Sequence, residues 1–89
     1  MNTTNKSMAL ITGGSSGMGF ATAKILINRG ITPIIVGRNS NKLTEAVQSL
    51  SSFGKALSVQ ADLYKQADIM RLIDFINSQP DRIEYLVNA

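Results

Sequence analysis

A glycine-rich segment near the N-terminus has residue types and spacing suited to binding a phosphate-bearing ligand. Residues 12–19 read TGGSSGMG, follow the apolar run 8–12, and lead into a helical apolar pattern from about Met18. A turn between strand and helix offers unpaired backbone N–H groups and the positive end of the helix dipole to an anion. The segment therefore predicts a turn that binds the pyrophosphate of a dinucleotide.

Three of the four glycines of this turn have separate predicted roles. Gly13 permits the tight turn after the strand, Gly17 leaves space where the backbone approaches the pyrophosphate, and Gly19 lets the helix pack close to the sheet. Ser15 and Ser16 add hydroxyl donors. A nucleoside-triphosphate P-loop is disfavoured because the last glycine is followed by phenylalanine and not by lysine.

Composition excludes several other kinds of site. The 89 residues contain no Cys and no His, which removes disulfides, thiolate nucleophiles, and the commonest general base and metal ligand. No apolar run approaches the roughly 18 residues of a membrane span. Residues 1–7 are polar and do not begin a signal peptide. We therefore expect a cytoplasmic chain with no membrane partner and no metal.

The charge is distributed unevenly between the two halves of the chain. Residues 1–44 have five basic residues and no acidic one, whereas residues 45–89 have four basic and six acidic residues. A cationic first half suits a ligand with phosphates. No run of basic residues is interleaved with aromatic ones, so we expect no nucleic-acid partner.

Strands and helices alternate along the sequence. Apolar runs predict strands at residues 8–12, 32–36, 56–61 and 85–88, and helical spacing of apolar residues predicts a helix in each interval. This alternation indicates an α/β fold, a Rossmann-type doubly wound parallel sheet with strand order 3-2-1-4. Two helices then cover one face and the third covers the other. The ligand crevice lies at the carboxyl ends of the strands, beside the glycine turn.

Glycine, asparagine and proline residues mark the ends of these elements. Gly30 is suited to end the first helix in the left-handed conformation, and residues 39–41 offer an N-cap for the second helix. Pro33 must lie at the start of its strand, where no ladder donor is lost. Pro80 is expected to end the third helix near residue 78.

The predicted sheet is incomplete at one edge. Leu86 and Val87 would give the fourth strand an apolar edge, which natural proteins avoid, and a chain of this length buries only about 60% of its unfolded surface. We therefore expect residues 1–7 to form a polar tail and residues 8–89 to be the N-terminal part of a Rossmann domain, truncated after the fourth strand.

The sequence resembles the single-domain branch of the short-chain dehydrogenase/reductase family from residue 8 to residue 89. The resemblance rests on the glycine motif, on Arg38 after the second strand, on Asp62-Leu63 after the third, and on the final residues LVNA, which are similar to the family's N-N-A-G segment with valine at its first position. It implies hydride transfer between a nicotinamide cofactor and a carbonyl or alcohol substrate, in a homo-oligomeric parent protein. The implied cofactor-binding residues are Thr12, Gly13, Ser15, Ser16, Gly17, Met18, Gly19, Arg38, Asn39, Asp62, Leu63, Asn88 and Ala89.

The end of the second strand predicts which cofactor is preferred. An NAD-binding site has a carboxylate there, whereas this chain has Gly37 followed by Arg38. A guanidinium that grips a 2′-phosphate contributes about 1.5–3 kcal/mol, so we expect NADP(H) in preference to NAD(H). Asn39 or Lys42 could assist. Ser16 departs from those NADP-preferring members that have a basic residue at this position.

Other candidate residues have alternative interpretations. The carboxylate of Asp62 either accepts from the adenine amino group, as the resemblance implies, or caps the following helix. Asn88 is expected to brace the sheet and the ribose edge of the cofactor. The bulky apolar residues Met18, Phe53, Met70 and Phe75 are most simply explained by packing in the core or at its rim.

No catalytic residue is assigned. The family's Tyr-x-x-x-Lys pair does not occur, because Tyr64 is followed four residues later by Asp68 and Tyr85 by Ala89. We therefore expect these 89 residues alone to be inactive. The alternatives are a non-catalytic dinucleotide-binding regulator and an inactive truncated product without a stable fold. A Rossmann domain for FAD or S-adenosylmethionine is disfavoured by the glycine spacing and by Arg38.

Overall fold

The computed structural model describes residues 7–13 and 17–89, in which four parallel strands form one sheet in the order β3-β2-β1-β4. The predicted fold class and strand order are thereby confirmed. None of the helices within these residues is long and apolar enough to cross a membrane. The elements are β1 (Ser7–Thr12), α1 (Gly17–Asn28), β2 (Thr32–Gly37), α2 (Ser40–Leu50), β3 (Leu57–Gln60), α3 (Gln66–Asn77) and β4 (Arg82–Asn88).

The register of the sheet aligns the carboxyl ends of its central strands. Thr12, the last residue of β1, pairs with Val36 of β2 on one side and with Asn88 of β4 on the other. Gly37 pairs with Gln60 at the end of β3. The loops that follow these strands therefore emerge at one edge of the sheet, where ligands bind in open α/β folds.

Two apolar layers hold the helices against the sheet. On one face, Ile11 and Ile35 pack against buried residues of α1 and α2, including Ala23 and Leu43. On the other face, α3 contributes its buried Leu72 to a second layer. The distribution predicted from right-handed crossovers, two helices on one face and one on the other, is confirmed. The remaining strand residues of the second layer are Met8, Ile34, Val36 and Val59.

The predicted helix and strand signals have the expected local conformations. Gly30 ends α1 with a φ of 80°, and the Asn39 side chain accepts a hydrogen bond from the Lys42 backbone N–H at 3.1 Å to cap α2. Pro33 is the second residue of β2 and precedes Ile34, where the ladder with β3 begins. α3 ends at Asn77, with Ser78 as its C-cap, before Pro80.

Some predicted boundaries differ from those observed. Ser7, assigned to a polar tail, is the first residue of β1 and pairs with Arg82. β4 begins at Arg82, three residues before the predicted start, because the exposed Arg82 and Glu84 obscure the apolar signal of an edge strand. β3 is shorter than predicted by one residue at each end, since Ala56 and Ala61 lie outside it.

Four bulky apolar residues were predicted to pack in the core or at its rim, and the core position is excluded for three of them. Met18 and Met70 are 77% and 53% exposed, and Phe53 is 45% exposed. The Phe53 ring instead lies 4.6 Å from the Lys24 ammonium, in the geometry of a cation–π contact. Only Phe75 packs against a buried cluster. Their spacing could not reveal this, because the exposure of a side chain depends on which neighbours the fold brings to it.

We expect Ile35→Ala to destabilise the chain strongly and Ile25→Ala to have little effect. Ile35 is fully buried between β2 and the helices, so its truncation should lower the free energy of unfolding by about 2–5 kcal/mol. Ile25 is 57% exposed on α1 and serves as the matched control. Urea denaturation followed by circular dichroism measures both. Equal losses in the two variants would contradict the assigned core.

Candidate functional site

An open groove of about 1020 Å³ runs along the carboxyl ends of β1, β2 and β3. It lies at the edge of the sheet where the sequence placed the ligand crevice. Its walls combine backbone, two basic side chains and an exposed aromatic ring. The lining residues are Thr12, Gly13, Val36, Gly37, Arg38, Asn39, Ser40, Lys42, Ala61, Asp62, Leu63, Tyr64 and Ala89.

The turn after β1 forms one side of this groove. Gly13 has a φ of 76°, and its N–H donates to the Val36 carbonyl at 3.0 Å. A Cβ added to Gly13 would lie only 2.8 Å from the carbonyl oxygen of Ala89. Glycine is therefore required here by both the backbone conformation and the close approach of the chain after β4. The predicted role of Gly13 in the tight turn is confirmed.

Asn88 braces the carboxyl ends of β1 and β4. The Thr12 hydroxyl donates to the Asn88 side-chain oxygen at 2.7 Å, and the Ala89 N–H donates to the Thr12 carbonyl at 3.0 Å. These bonds join the ends of β1 and β4, the two neighbouring strands between which the strand order changes direction. The structural half of the prediction for Asn88 is confirmed, while its contact with a ribose stays a prediction.

The start of α1 provides the second part of the predicted phosphate site. Gly17 is the first residue of α1, Met18 is exposed, and Gly19 is buried as expected for a residue at a helix–sheet contact. A Cβ on Gly17 would meet no atom of the described residues within 4 Å. Internal packing therefore gives no reason for glycine at this position. The predicted hydroxyl donors Ser15 and Ser16 lie outside the described residues.

Basic side chains line the side of the groove that follows β2. Arg38 comes directly after β2, and Lys42 lies in the first turn of α2, both exposed. Within residues 7–13 and 17–89, neither side chain makes an ion pair. Asn39 lies between them, where its side-chain oxygen is already used to cap α2. This side of the groove is therefore positively charged and open to an anion.

The opposite side of the groove is the loop after β3. The Asp62 carboxylate accepts a hydrogen bond from the Tyr64 backbone N–H at 3.0 Å, which closes a local turn. The alternative prediction that Asp62 caps the next helix is wrong, because the N-cap of α3 is Lys65 and has no side-chain hydrogen bond. Leu63 is 41% exposed and Tyr64 96% exposed at the groove.

Residues outside the groove connect its two sides, and the sequence analysis did not identify them. The Asp68 carboxylate accepts from the Asp62 backbone N–H at 2.8 Å and forms an ion pair with Arg71 at 3.4 Å. Arg71 donates to the Gln60 carbonyl at 2.7 Å, and the Gln60 side-chain amide donates to the Arg38 carbonyl at 3.1 Å. The spacing of Asp68 and Arg71 on a helix was the one available signal.

These contacts lower the pKa of the Asp68 carboxyl. The hydrogen bond from the Asp62 backbone N–H is the largest cause, and the nearby charges of Arg71 and Lys65 act in the same direction against partial desolvation. Each of these contacts favours the carboxylate over the protonated acid. Asp68 is therefore charged at neutral pH and available to hold the loop after β3.

The groove brings together seven of the eleven predicted site residues that the structure describes. Gly17, Met18, Gly19 and Asn88 do not line it, although each lies on an element that begins or ends at the same edge of the sheet. Within the described part of the chain, no three His, Cys, Asp or Glu side chains form a group that could bind a metal. The seven that line it are Thr12, Gly13, Arg38, Asn39, Asp62, Leu63 and Ala89.

Comparison with known proteins identifies the family of this chain and shows how much of its relatives' length it covers. Residues 7–89 match the family model described as short chain dehydrogenase. A peroxisomal 2,4-dienoyl-CoA reductase of Arabidopsis thaliana is 36% identical over 83 residues, which are 92% of this chain and 28% of that protein. The short-chain dehydrogenase/reductase homolog YusS of Bacillus subtilis is 34% identical over 90 residues, 99% of this chain and 82% of that protein.

Solved structures of similar fold include complexes with nicotinamide cofactors. The RhlG/NADP active-site complex of Pseudomonas aeruginosa is 30% identical with a TM-score of 0.85, covering 97% of this chain and 35% of that one. L-sorbose reductase from Gluconobacter frateurii, complexed with NADPH and L-sorbose, is 30% identical with a TM-score of 0.84, covering 96% and 33%. This chain therefore spans about a third of these proteins.

We expect Gly13→Ala to lower the Tm, whereas Gly17→Ala should leave it unchanged or raise it. The first variant forces a Cβ into left-handed backbone and against the Ala89 carbonyl, at a cost of about 1–2 kcal/mol or more. The second adds a methyl group in open space within a helix, where alanine is favoured. Thermal denaturation compares the two. A Gly13→Ala variant as stable as wild type would refute the strained turn.

We expect acid to remove the stabilisation that Asp68 provides. Because the folded-state pKa is lowered, this contribution is complete above the ordinary Asp pKa of about 3.9 and is lost as pH falls through the lowered value. The difference in unfolding free energy between wild type and Asp68→Asn should therefore shrink as the pH is lowered from about 6 through the ordinary Asp pKa and below the lowered value. A difference that does not vary with pH would count against this assignment.

Proposed function

Since the chain belongs to the short-chain dehydrogenase family, we propose that it forms the NADP(H)-binding part of an oxidoreductase that acts on a carbonyl or alcohol substrate. The observation that supports this most directly is the basic side of the groove. Arg38 is exposed at the end of β2, and no acidic residue occupies that strand end. Both features suit a cofactor with an extra phosphate on its adenosine ribose.

The groove has the features that a dinucleotide requires. A left-handed glycine turn at Gly13 is followed by the N-terminus of α1, whose first N–H groups have no partner earlier in the helix. A Cβ on Gly17 would meet no atom of the described residues, which is consistent with a position kept small for a ligand. We propose that this segment, with Ser15 and Ser16, holds the pyrophosphate and that Thr12, Met18 and Gly19 complete its surroundings.

Arg38 would bind the 2′-phosphate of the cofactor. Its guanidinium forms no ion pair with the described residues, so no ion pair among them has to be broken on binding. Lys42 lies on the same side of the groove and adds a second positive charge, while the amide nitrogen of Asn39 remains available beyond its capping role. An NAD-type site would instead hold the ribose hydroxyls with a carboxylate, and this chain has glycine at that position.

The loop after β3 would bind the adenine ring. The Asp62 backbone and carboxylate are held by Asp68 and Tyr64, so the loop is organised before the ligand arrives. Leu63 offers an exposed apolar surface beside it for the face of the base. We propose that Asp62 and Leu63 contact the adenine, and that Asn88 and Ala89 contact the ribose next to the nicotinamide.

The bound cofactor supplies the hydride chemistry, and the residues of this chain bind and orient it. Residues 8–89 would be the N-terminal part of the complete Rossmann domain. The dienoyl-CoA and L-sorbose reductases are named for the compounds they reduce, which supports a reductase or dehydrogenase activity for the whole protein. No residue here is assigned to acid–base catalysis. The homo-oligomeric parent and its cytoplasmic location stay predictions.

We expect Arg38→Ala to weaken NADPH binding by about 10- to 150-fold while leaving NADH binding nearly unchanged, because only NADPH has the 2′-phosphate. Isothermal titration calorimetry with each nucleotide measures both affinities. Arg29→Ala is the matched control, since Arg29 is exposed just beyond the far end of α1. An unchanged NADPH-to-NADH preference in Arg38→Ala would show that the 2′-phosphate assignment is wrong. Failure of the wild-type chain to bind either nucleotide would refute the proposed function.

A further inference from the structure

A continuous set of polar contacts links the two sides of the groove from behind. It begins at the Arg38 carbonyl, which accepts from the Gln60 side chain at 3.1 Å, and continues from the Gln60 carbonyl to Arg71 at 2.7 Å. Arg71 pairs with Asp68 at 3.4 Å, and Asp68 accepts from the Asp62 N–H at 2.8 Å. Both ends of this set line the groove, whereas Gln60, Asp68 and Arg71 do not.

Backbone hydrogen bonds connect the two sides of the groove only up to the ends of β2 and β3. The last contacts between them are the pairing of Gly37 with Gln60 and the 2.8 Å bond from the Ala61 N–H to the Gly37 carbonyl. Beyond these points the chain leaves the ladder on both sides. The Gln60 side chain reaches one residue further, to Arg38, and Asp68 reaches Asp62, the second residue of the loop after β3.

The chemistry of these contacts is suited to positioning. The bond from the Asp62 N–H to a carboxylate and the bond from a guanidinium to the Gln60 carbonyl are both charge-assisted, and such bonds are stronger and shorter than neutral ones. Arg71 serves two acceptors at once, the Gln60 carbonyl and the Asp68 carboxylate. Neutralising Asp68 therefore disturbs the Asp62 end directly and the Arg38 end through Arg71 and Gln60.

We propose that Gln60, Asp68 and Arg71 are positioning residues that set the spacing between Arg38 and the loop at Asp62, and so favour ligands that span both sides with an adenine ring and a 2′-phosphate. The inference rests on the proposed function. A ligand that contacts both sides depends on their relative placement, whereas a ligand that contacts one side does not. A purely structural role would lower stability and reduce the affinity for both kinds of ligand equally.

The experiment compares 2′,5′-ADP, which has both groups, with 5′-AMP, which lacks the 2′-phosphate. Calorimetric titrations are made with the 89-residue chain and its Asp68→Asn and Gln60→Ala variants. Asp74→Asn is the matched control, because it makes the same substitution at an exposed position of α3 that has no described ion pair. Circular dichroism establishes that each variant is folded before titration.

We expect Asp68→Asn to weaken 2′,5′-ADP binding by about tenfold, with a smaller loss for 5′-AMP, so that the ratio of the two affinities falls. Gln60→Ala should lower 2′,5′-ADP affinity and leave 5′-AMP affinity unchanged, because it disconnects only Arg38. Asp74→Asn should match wild type with both ligands. Should Asp68→Asn unfold the chain, Gln60→Ala alone decides the question, since its side chain is exposed.

The possible negative results have different meanings. If wild type binds both ligands and the affinity ratios of Asp68→Asn and Gln60→Ala equal that of Asp74→Asn, the positioning role is overturned and the proposed function stands. If wild type binds neither ligand, the proposed function fails and the inference fails with it. Equal losses for the two ligands in Gln60→Ala would also overturn the inference, because they would indicate a general effect on folding.

Discussion

The backbone contacts at the end of β1 are the constraint on which the rest of the site depends. The chain leaves the central strand at Gly13 in left-handed backbone, bonded to Val36 of β2 on one side while the residue after β4 bonds to Thr12 on the other. A side chain at Gly13 would collide with the Ala89 carbonyl, so the close approach of the two strand ends exists only with glycine at that position. Thr12, Gly13 and Ala89, which meet at this point, all line the groove.

The site combines a well-ordered edge of the sheet with basic side chains that have no described ion pair. Parallel strands fix where the loops begin, and the Asn39 cap, the Asp62–Tyr64 turn and the Asp68 contact fix how they continue. Arg38 and Lys42, by contrast, have no described ion pair and face the groove. Preorganised backbone with available positive charge is the arrangement expected where an anionic ligand binds, because little has to be rearranged on binding.

The edge of the sheet at β4 exposes large apolar side chains. Leu86 is 73% exposed and Tyr85 is 47% exposed, on a strand whose other side has no partner strand among the described residues. Val87, unlike Tyr85 and Leu86, packs against a buried cluster. The chain corresponds to about a third of the solved structures it resembles.

The order and type of the elements, the sheet topology and the turn at Gly13 could all be predicted from residue types, because periodic burial and left-handed backbone leave local signals in the sequence. It also indicated Arg38 and Asp62 by their place after strands. Other features are visible only in the folded chain: Asp62 closes a turn and does not cap α3, Met18 is exposed, and Gln60, Asp68 and Arg71 connect the two sides of the groove. The bonds between Gln60, Arg38 and Arg71 join residues that are distant along the chain, and the exposure of Met18 depends on which neighbours the fold brings to it. The helical spacing of Asp68 and Arg71 was the one local signal.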